Sequence, residues 1–522
     1  MPPRVTATDG ARRRILSAFA IVALSTFLLS TLWALASPVF SVPDENAHAT
    51  KAIAQVHGQV VGEEVEGIKH LVVDLPDGFD YRPELTCFAF EPTVTADCAP
   101  ELGGGGGTPW FNTWVGTYNP TYYAVIGWPA LLLDGNEAII AMRIASALVN
   151  ALLFGAGAAA AFASARRSWL PVGSLVVLSP MIMYFSGSVN PQGFEVAGAF
   201  LLWWAGLRLA EHWRDGTTHG LSAGILWPAV TVGALVVSNA RATGPLWTLI
   251  VLALVATVVG WRTAWHGIAR VRTIPWLVAL ALPAAFSAFW TLGVGSLSNQ
   301  ADVGDAPLVG RSPLVGAWAM IRQTPAFIQQ AAGYFGWLDT PMPGSFYLLL
   351  ALALAIPVMT ALAVLRRRSA ARLLVVVSAS LVVPIVLQAY SVSQTGIIWQ
   401  GRYGLFLYIG VVIVSVWMLE DREAVRVAPP GRRLVPIAVG SLSAFGLMAY
   451  VVALRRYTVG ADVPITEMLD EIAWSPPIPW QVLVLVYGLV SAGAAVWAIR
   501  VALQEDDDVP SAAAPRSLSS AA

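Results

Sequence analysis

The sequence predicts an all-α polytopic membrane protein with about 12 transmembrane helices (roughly 11–13) and a large extracytoplasmic first loop. Three observations predict it. Of the 522 residues, 56% are hydrophobic and only 12% are charged, about half of the roughly 25% charged residues of an average soluble domain. Mean hydropathy is +0.65, so most side chains must meet lipid or other apolar helices. Apolar runs of membrane length recur along the chain, and basic residues gather on alternate connections between them.

Residues 1–14 read as a cytoplasmic N-terminus ending in Arg12-Arg13-Arg14. The run Ile15–Ala36 follows, and about 20 apolar residues suffice for a roughly 30 Å hydrocarbon core. Ala34-Leu35-Ala36 resembles a signal-peptidase site, but the run exceeds the 7–15 residues of a typical signal core. It reads as an uncleaved signal anchor. Residues 37–117 form the first outer loop. The apolar piece 118–133 is short for a span and reads as re-entrant or interfacial, with a short true span as the alternative. Further runs fall at 137–163, 168–187, 192–210, 222–238, 244–260, 274–294, 346–364, 373–390, 403–419, 434–453 and 479–499. This arrangement puts most of the 31 basic residues in the cytoplasm, as the positive-inside rule requires. Both ends are then cytoplasmic, and the 37–117 loop, the 295–345 loop and the 391–402 turn lie outside. By domain, 15–455 is the main transmembrane unit, 456–500 a loop and last span, and 501–522 a polar tail expected to be disordered. Only Lys51 and Lys69 are lysines; with the richness in Arg, Ala, Gly and Val this suggests a GC-rich bacterial source and a bacterial plasma (inner) membrane.

Several function classes find no support. A net charge of −1 offers no field for nucleic acid. Gly103–Gly107 lacks the Gly-Lys-Ser/Thr ending of a phosphate loop, and no spaced Cys and His set forms a zinc pattern. The two cysteines, Cys87 and Cys98, share the first loop. Outside the cell they can form a disulfide worth roughly 2–4 kcal/mol; the alternative is two free thiols.

The strongest candidate for chemistry is Ser41-Val42-Pro43-Asp44-Glu45-Asn46-Ala47-His48, where the chain leaves its first span. Asp44, His48, Lys51 and Gln55 recur as one helical stripe, and Ile53, Val56 and Val60 lie off it, so the helix can rest on the membrane surface. Asp44 and His48, one turn apart, can converge as a general base, and Glu45 can help hold a divalent cation such as Mg or Mn. The blander alternative is a helix start: Ser41-x-x-Asp44 is capping-box-like, and acids favour helix N-termini. Arg402, in Trp399-Gln400-Gly401-Arg402-Tyr403, can clamp a phosphate while Gly401 lets a ligand approach the backbone; the alternative is an interfacial Arg among belt aromatics. Asp339, in Gly336-Trp337-Leu338-Asp339, is either a second carboxylate at the same cavity or a solvated loop acid. Arg143 and Glu195, inside apolar runs, are structural partners or cavity liners.

Four motifs in order, Pro43-Asp44-Glu45-x-x-His48, Tyr118-Asn119-Pro120-x-Tyr122-Tyr123, Gly336-Trp337-Leu338-Asp339 and Gln400-Gly401-Arg402-Tyr403, resemble a bacterial family of predicted membrane proteins over roughly residues 15–455. That family in turn is similar to the GT-C superfamily of membrane glycosyltransferases, which use polyprenyl-phosphate-linked sugars and carry a catalytic acid in the first outer loop. The resemblance implies Asp44 as base, Glu45 as metal or substrate contact, and Arg402 as lipid-phosphate contact; His48 joins the catalytic group, and Lys51, Tyr403, Asp339 and Tyr122 the binding group. Where some members have a further acid, this chain has Gln192, with Glu195 a turn later, which leaves metal dependence open. The implied function is inverting transfer of a sugar from a polyprenyl-phosphate donor to an envelope glycan or lipid acceptor, in contact with the bilayer. A flippase for a lipid-linked sugar and a non-catalytic subunit of an envelope assembly are the alternatives.

Overall fold

The computed structural model describes residues 9–216, 220–296 and 306–507. The chain begins with α1 (Asp9–Ala36), which Pro38 prevents from continuing. A short α2 (Glu45–Val56) follows, then a two-stranded antiparallel sheet of β1 (Leu71–Asp74) and β2 (Trp110–Thr113), in which Leu71 pairs with Thr113 and Val73 with Phe111. Next come α3 (Pro120–Ile126), α4 (Gly135–Ala161), α5 (Leu170–Leu175), α6 (Pro180–Ser186), α7 (Pro191–Asp215), α8 (Ala223–Ala240), α9 (Gly244–Val259), α10 (Trp261–Ile268) and α11 (Ile274–Gly293). The second half holds α12 (Pro313–Gly333), the small hairpin β3 (Tyr334–Phe335) and β4 (Thr340–Pro341), α13 (Tyr347–Val364), α14 (Arg367–Thr395), α15 (Leu405–Glu420), α16 (Gly431–Thr458) and α17 (Trp480–Asp507).

Among the described residues, nine helices are long and apolar enough to cross a membrane, or ten if α9 and α10 form one broken span. The expected count of twelve is therefore not reached, for three local reasons. The run 168–187 is broken into α5 and α6, with Pro180 starting the second piece. The run 192–210 is one helix, α7, but Glu195 and Arg208 lower its apolar character; it is buried from Pro191 to Ala210 and packs against α4, α8, α9 and α15. The run 244–260 bends by 115° into α10 at Gly260, whose φ of 110° suits glycine. With seven residues, α3 is about 10 Å long and cannot span. Trp128, Leu131 and Leu132 are exposed just after it. The 295–345 segment contains the 21-residue α12. Part of that segment, and the tail beyond residue 507, lie outside the described residues; α17 itself runs past 500 to Asp507.

The polar stripe of α2 does not lie on a membrane surface. Every residue from Glu45 to Ala54 is buried, because β1, β2 and α3 close over the helix. Its start is locked into the bundle by an ion pair. Arg143 on α4 and Glu45 are both fully buried; Nε donates to Oε1 at 2.8 Å and Nη2 to Oε2 at 2.5 Å. The remaining guanidinium hydrogens bond the carbonyls of Ala34, Ser37 and Pro38 at 2.6–2.9 Å, and Val189 N–H donates to Oε1 at 2.9 Å. The pair therefore fixes the exit of α1, the start of α2 and the turn before α7 together.

Removing one member of a buried, hydrogen-bonded pair strands a charge and costs roughly 3–5 kcal/mol. Glu45→Leu and Arg143→Met are each expected to lower thermal stability in detergent by that order. The double variant should recover much of the loss, since two apolar side chains strand no charge. Simple addition of the two losses would refute the coupling.

Candidate functional site

The segment Phe40–Pro43 is held by side chains from four parts of the chain. Trp337 Nε1 donates to the Phe40 carbonyl at 3.0 Å, and the hydroxyls of Tyr184 and Tyr457 both donate to that of Ser41 at 3.1 Å. Asn190 Nδ2 donates to the Pro43 carbonyl at 3.0 Å. Asp44 then adopts φ +65°, a left-handed conformation uncommon outside glycine. Residues held this way cluster at functional sites.

Asp44 occupies the N-cap of α2, yet its side chain makes no capping bond, and the Ser41 hydroxyl has no partner among the described residues. The capping alternative thus fails on geometry. The carboxylate points instead to Arg402, whose Nη2 donates to Oδ2 at 2.5 Å across 358 positions of sequence. Asp44 keeps 28% of its side chain exposed while Arg402 is 1% exposed. Burial alone would push the Asp44 carboxyl up; the Arg402 guanidinium, by charge and hydrogen bond, overrides it and holds Asp44 below its usual range.

Arg402 packs over the rings of Phe185 and Tyr403, 5.2 and 5.3 Å from their centroids. Its Nε and Nη1 are buried with no hydrogen-bond partner among the described residues, although the Tyr403 phenol is near enough to act on the charge. A buried guanidinium with unused donors is suited to an anion. Arg241, following α8, lies 4.9 Å over the same Tyr403 ring, and its Nε too is buried without a partner among the described residues. Its charge acts on both Asp44 and His48. On α7, Glu195 accepts one bond from Gln192 at 3.2 Å and its other oxygen has no partner among the described residues. Gly401 has a different use from the one expected. A Cβ there would collide with the Phe327 carbonyl of α12, and Gly401 N–H donates to Gln330 Oε1 at 2.9 Å, so the glycine seats Arg402 against α12.

His48 Nδ1 is 2.8 Å from the Tyr123 hydroxyl, and Tyr118 meets the imidazole edge-on at 5.5 Å. Burial, resisted by Asp44, pushes His48 down to about 3, so the ring is neutral at ordinary pH. Lys51 is 1% exposed, bonds the Val60 carbonyl at 2.5 Å and lies 5.3 Å over the Tyr123 ring. Burial pushes its amine down to about 7.

Three expected site residues lie elsewhere. Glu45 is taken by Arg143 and Val189, as described. Asp339 pairs with Arg456 at 3.2 Å and accepts from the Thr340 hydroxyl. Tyr122 is fully buried against Ser146 and the Ser188 carbonyl at 3.2 and 3.4 Å, while its neighbour Tyr123 faces His48. Cys87 and Cys98 are joined in a disulfide, and Arg456 grips the enclosed turn through the carbonyls of Phe88, Glu91 and Val94. Glu45 is engaged by Arg143, and among the described residues no group of three or more His, Cys, Asp or Glu could hold a metal ion.

Below Arg402 the chain turns into α15, and an apolar groove opens there. It has a volume of about 370 Å³ and is lined by Ile328, Ala332, Leu350, Leu381, Leu405 and Tyr408, among others. The groove lies between α12, α13, α14 and α15, and its lining residue nearest in sequence to the recess is Leu405, three positions after Arg402.

These features define a multi-pass helical membrane protein with a charged recess at the exit of its first span. A family model described as predicted membrane protein (DUF2142) matches residues 27–413, and the chain belongs to that family. The matched stretch holds Asp44, Glu45, Arg143, Arg241 and Arg402. No curated protein matches the chain.

The neutral imidazole gives a pH test. An unfolded histidine binds its proton near pH 6.5, so between 6.5 and about 3 the unfolded chain holds a proton that folded His48 excludes. The stability from neutral His48 is present above pH 6.5 and is lost on acidification, by roughly 3 kcal/mol two pH units into that window. The thermal midpoint should fall from pH 7 to 4.5 in the wild type and fall less in His48→Phe. Equal slopes would remove His48 as the source.

Proposed function

We propose that the chain is an inverting, GT-C-like glycosyltransferase that moves a sugar from a polyprenyl-phosphate donor to a cell-envelope acceptor on the extracytoplasmic face. One observation carries the reading: Arg402, with unused buried donors, lies beside a carboxylate in a strained conformation, and Leu405, three residues on, lines an apolar groove. The groove suits a polyprenyl tail and the guanidinium suits its phosphate.

In this mechanism the donor phosphate engages Arg402, with Arg241 across the Tyr403 ring. Asp44 accepts the proton of an acceptor hydroxyl as its oxygen attacks the anomeric carbon. The new C–O bond forms as the bond from that carbon to the phosphate oxygen breaks, and the electron pair leaves on the lipid phosphate. Arg402 stabilises the charge that gathers there. His48, one helical turn from Asp44, is neutral and does not compete for the proton. Asp44, Arg402 and Arg241 gather around the Tyr403 ring in one cluster, which favours transfer over vectorial transport.

Asp44→Asn keeps size and shape but cannot take the proton. It is expected to reduce transfer on the order of 10²–10⁴-fold, the range of a general base, while the purified variant retains a lipid-linked sugar detectable by mass spectrometry. Full transfer by Asp44→Asn would dismiss Asp44 as base. Only bulk phospholipid with both proteins, and no transfer by the wild type, would dismiss the enzyme.

A further inference from the structure

A second cavity lies in the segment between α2 and α3. Its volume is about 490 Å³, and its lining includes Glu64, Glu66, Lys69, His70, Trp114 and Thr117. That volume is within the roughly 300–1,000 Å³ of ligand pockets. The walls are fixed at both ends. Leu71 and Thr113, which also line it, are paired across the β1–β2 sheet. The Thr117 carbonyl accepts from Trp290 Nε1 at 2.9 Å and from the Ser296 hydroxyl at 2.6 Å, both at the end of α11.

The lining chemistry selects a class of ligand. Trp114, half-buried and edge-on to His70 at 6.3 Å, offers an apolar ring face with an N–H at its rim. Carboxylates, an amine and hydroxyls surround it. The charges are mixed in sign, so the cavity lacks the cationic excess that a phosphate or nucleic acid selects. An apolar face ringed by donors and acceptors matches a neutral sugar ring, whose C–H face packs on indole while its hydroxyls bond the rim.

The cavity is coupled to the recess. The Thr113 hydroxyl donates to the Ala47 carbonyl at 3.2 Å, one residue before His48. Thr117 directly precedes Tyr118, whose ring contacts the His48 imidazole. We propose that this cavity is a saccharide-binding site that delivers the acceptor glycan toward Asp44. The word acceptor rests on the transferase reading; saccharide binding does not.

The test uses the full-length protein in nanodiscs on an array of neutral gluco-, galacto-, manno- and arabino-oligosaccharides. The wild type should retain at least one class. Trp114→Ala should weaken that binding by about tenfold or more, Trp114→Phe should keep it, and Asp44→Asn should leave it unchanged. Should Trp114→Ala fail to fold, the exposed pair Glu64→Gln/Glu66→Gln must weaken binding instead. No retained saccharide, or equal binding by wild type and these variants, overturns the cavity assignment even if sugar transfer from a polyprenyl phosphate is measured. Saccharide binding without such transfer leaves the cavity standing and removes the enzyme.

Discussion

Two adjacent carboxylates hold two guanidinium groups drawn from distant parts of the chain, and the rest of the architecture follows from that constraint. Glu45 takes Arg143, 98 positions on, and Asp44 takes Arg402, 358 positions on. Ionisable groups this deep in a membrane protein are costly unless paired. The start of α2 is therefore the point at which α4 from the first half and the segment before α15 from the second half are tied together. The two pairs differ in kind. Arg143 spends its guanidinium on Glu45 and three carbonyls, so that pair is complete and structural. Arg402 leaves two nitrogens without partners among the described residues, so that pair is open. A closed pair beside an open one gives a rigid frame with a single reactive edge.

A second guanidinium clamp keeps this edge in place from the outside of the bundle. Arg456 ties the disulfide-bonded turn to Asp339, and the adjacent Tyr457 reaches Ser41. Trp337, two residues before Asp339, reaches Phe40. The Gly336–Asp339 motif and the end of α16 thus bear on the same few backbone carbonyls that set the left-handed turn at Asp44. A conformation that costs on the order of 1–3 kcal/mol persists only when its surroundings over-determine it, and here hydrogen bonds from α6, the N-cap of α7, α16 and the β3–β4 turn do so.

What could be read from the sequence follows from which interactions are local. Membrane helices are local in length and composition, so α1, α4, α8, α11 and α13 to α17 were visible as apolar runs. The broken 168–187 run and the polar helix α7 were not separable, because Pro180, Glu195 and Arg208 take their meaning from burial among neighbouring helices. Asp44, His48, Arg402 and Tyr403 were identifiable from their position at span ends, and the structure gathers them in one recess. Glu45, Asp339 and Tyr122 have the right chemistry near the right place, but their partners Arg143, Arg456 and Ser146 are distant in sequence and claim them first. Arg241 was missed, although a signal for it existed. Arg143, Arg241, Arg402 and Arg456 are all exceptions to the expected distribution, in which basic residues gather on the opposite face. An arginine out of place by that rule needs a partner or a ligand, and each of these four lies at a structural or candidate functional contact.

The open pair also bears on how a base can work beside a guanidinium. Arg402 holds the Asp44 carboxyl below its usual range, which keeps it ionised but weakens its pull on a proton. On the proposed mechanism a donor phosphate relieves this. It offers Arg402 a second anion, and it brings a negative charge close to Asp44; both effects raise the carboxyl's affinity for a proton. Asp44 is thus a poor base while the recess is empty of donor and a better one once the donor is seated. Its exposed 28% leaves room for a hydroxyl to approach without displacing Arg402. Binding energy from the lipid tail in the apolar groove is then converted into basicity at the carboxylate, and water, which carries no tail, gains no such assistance.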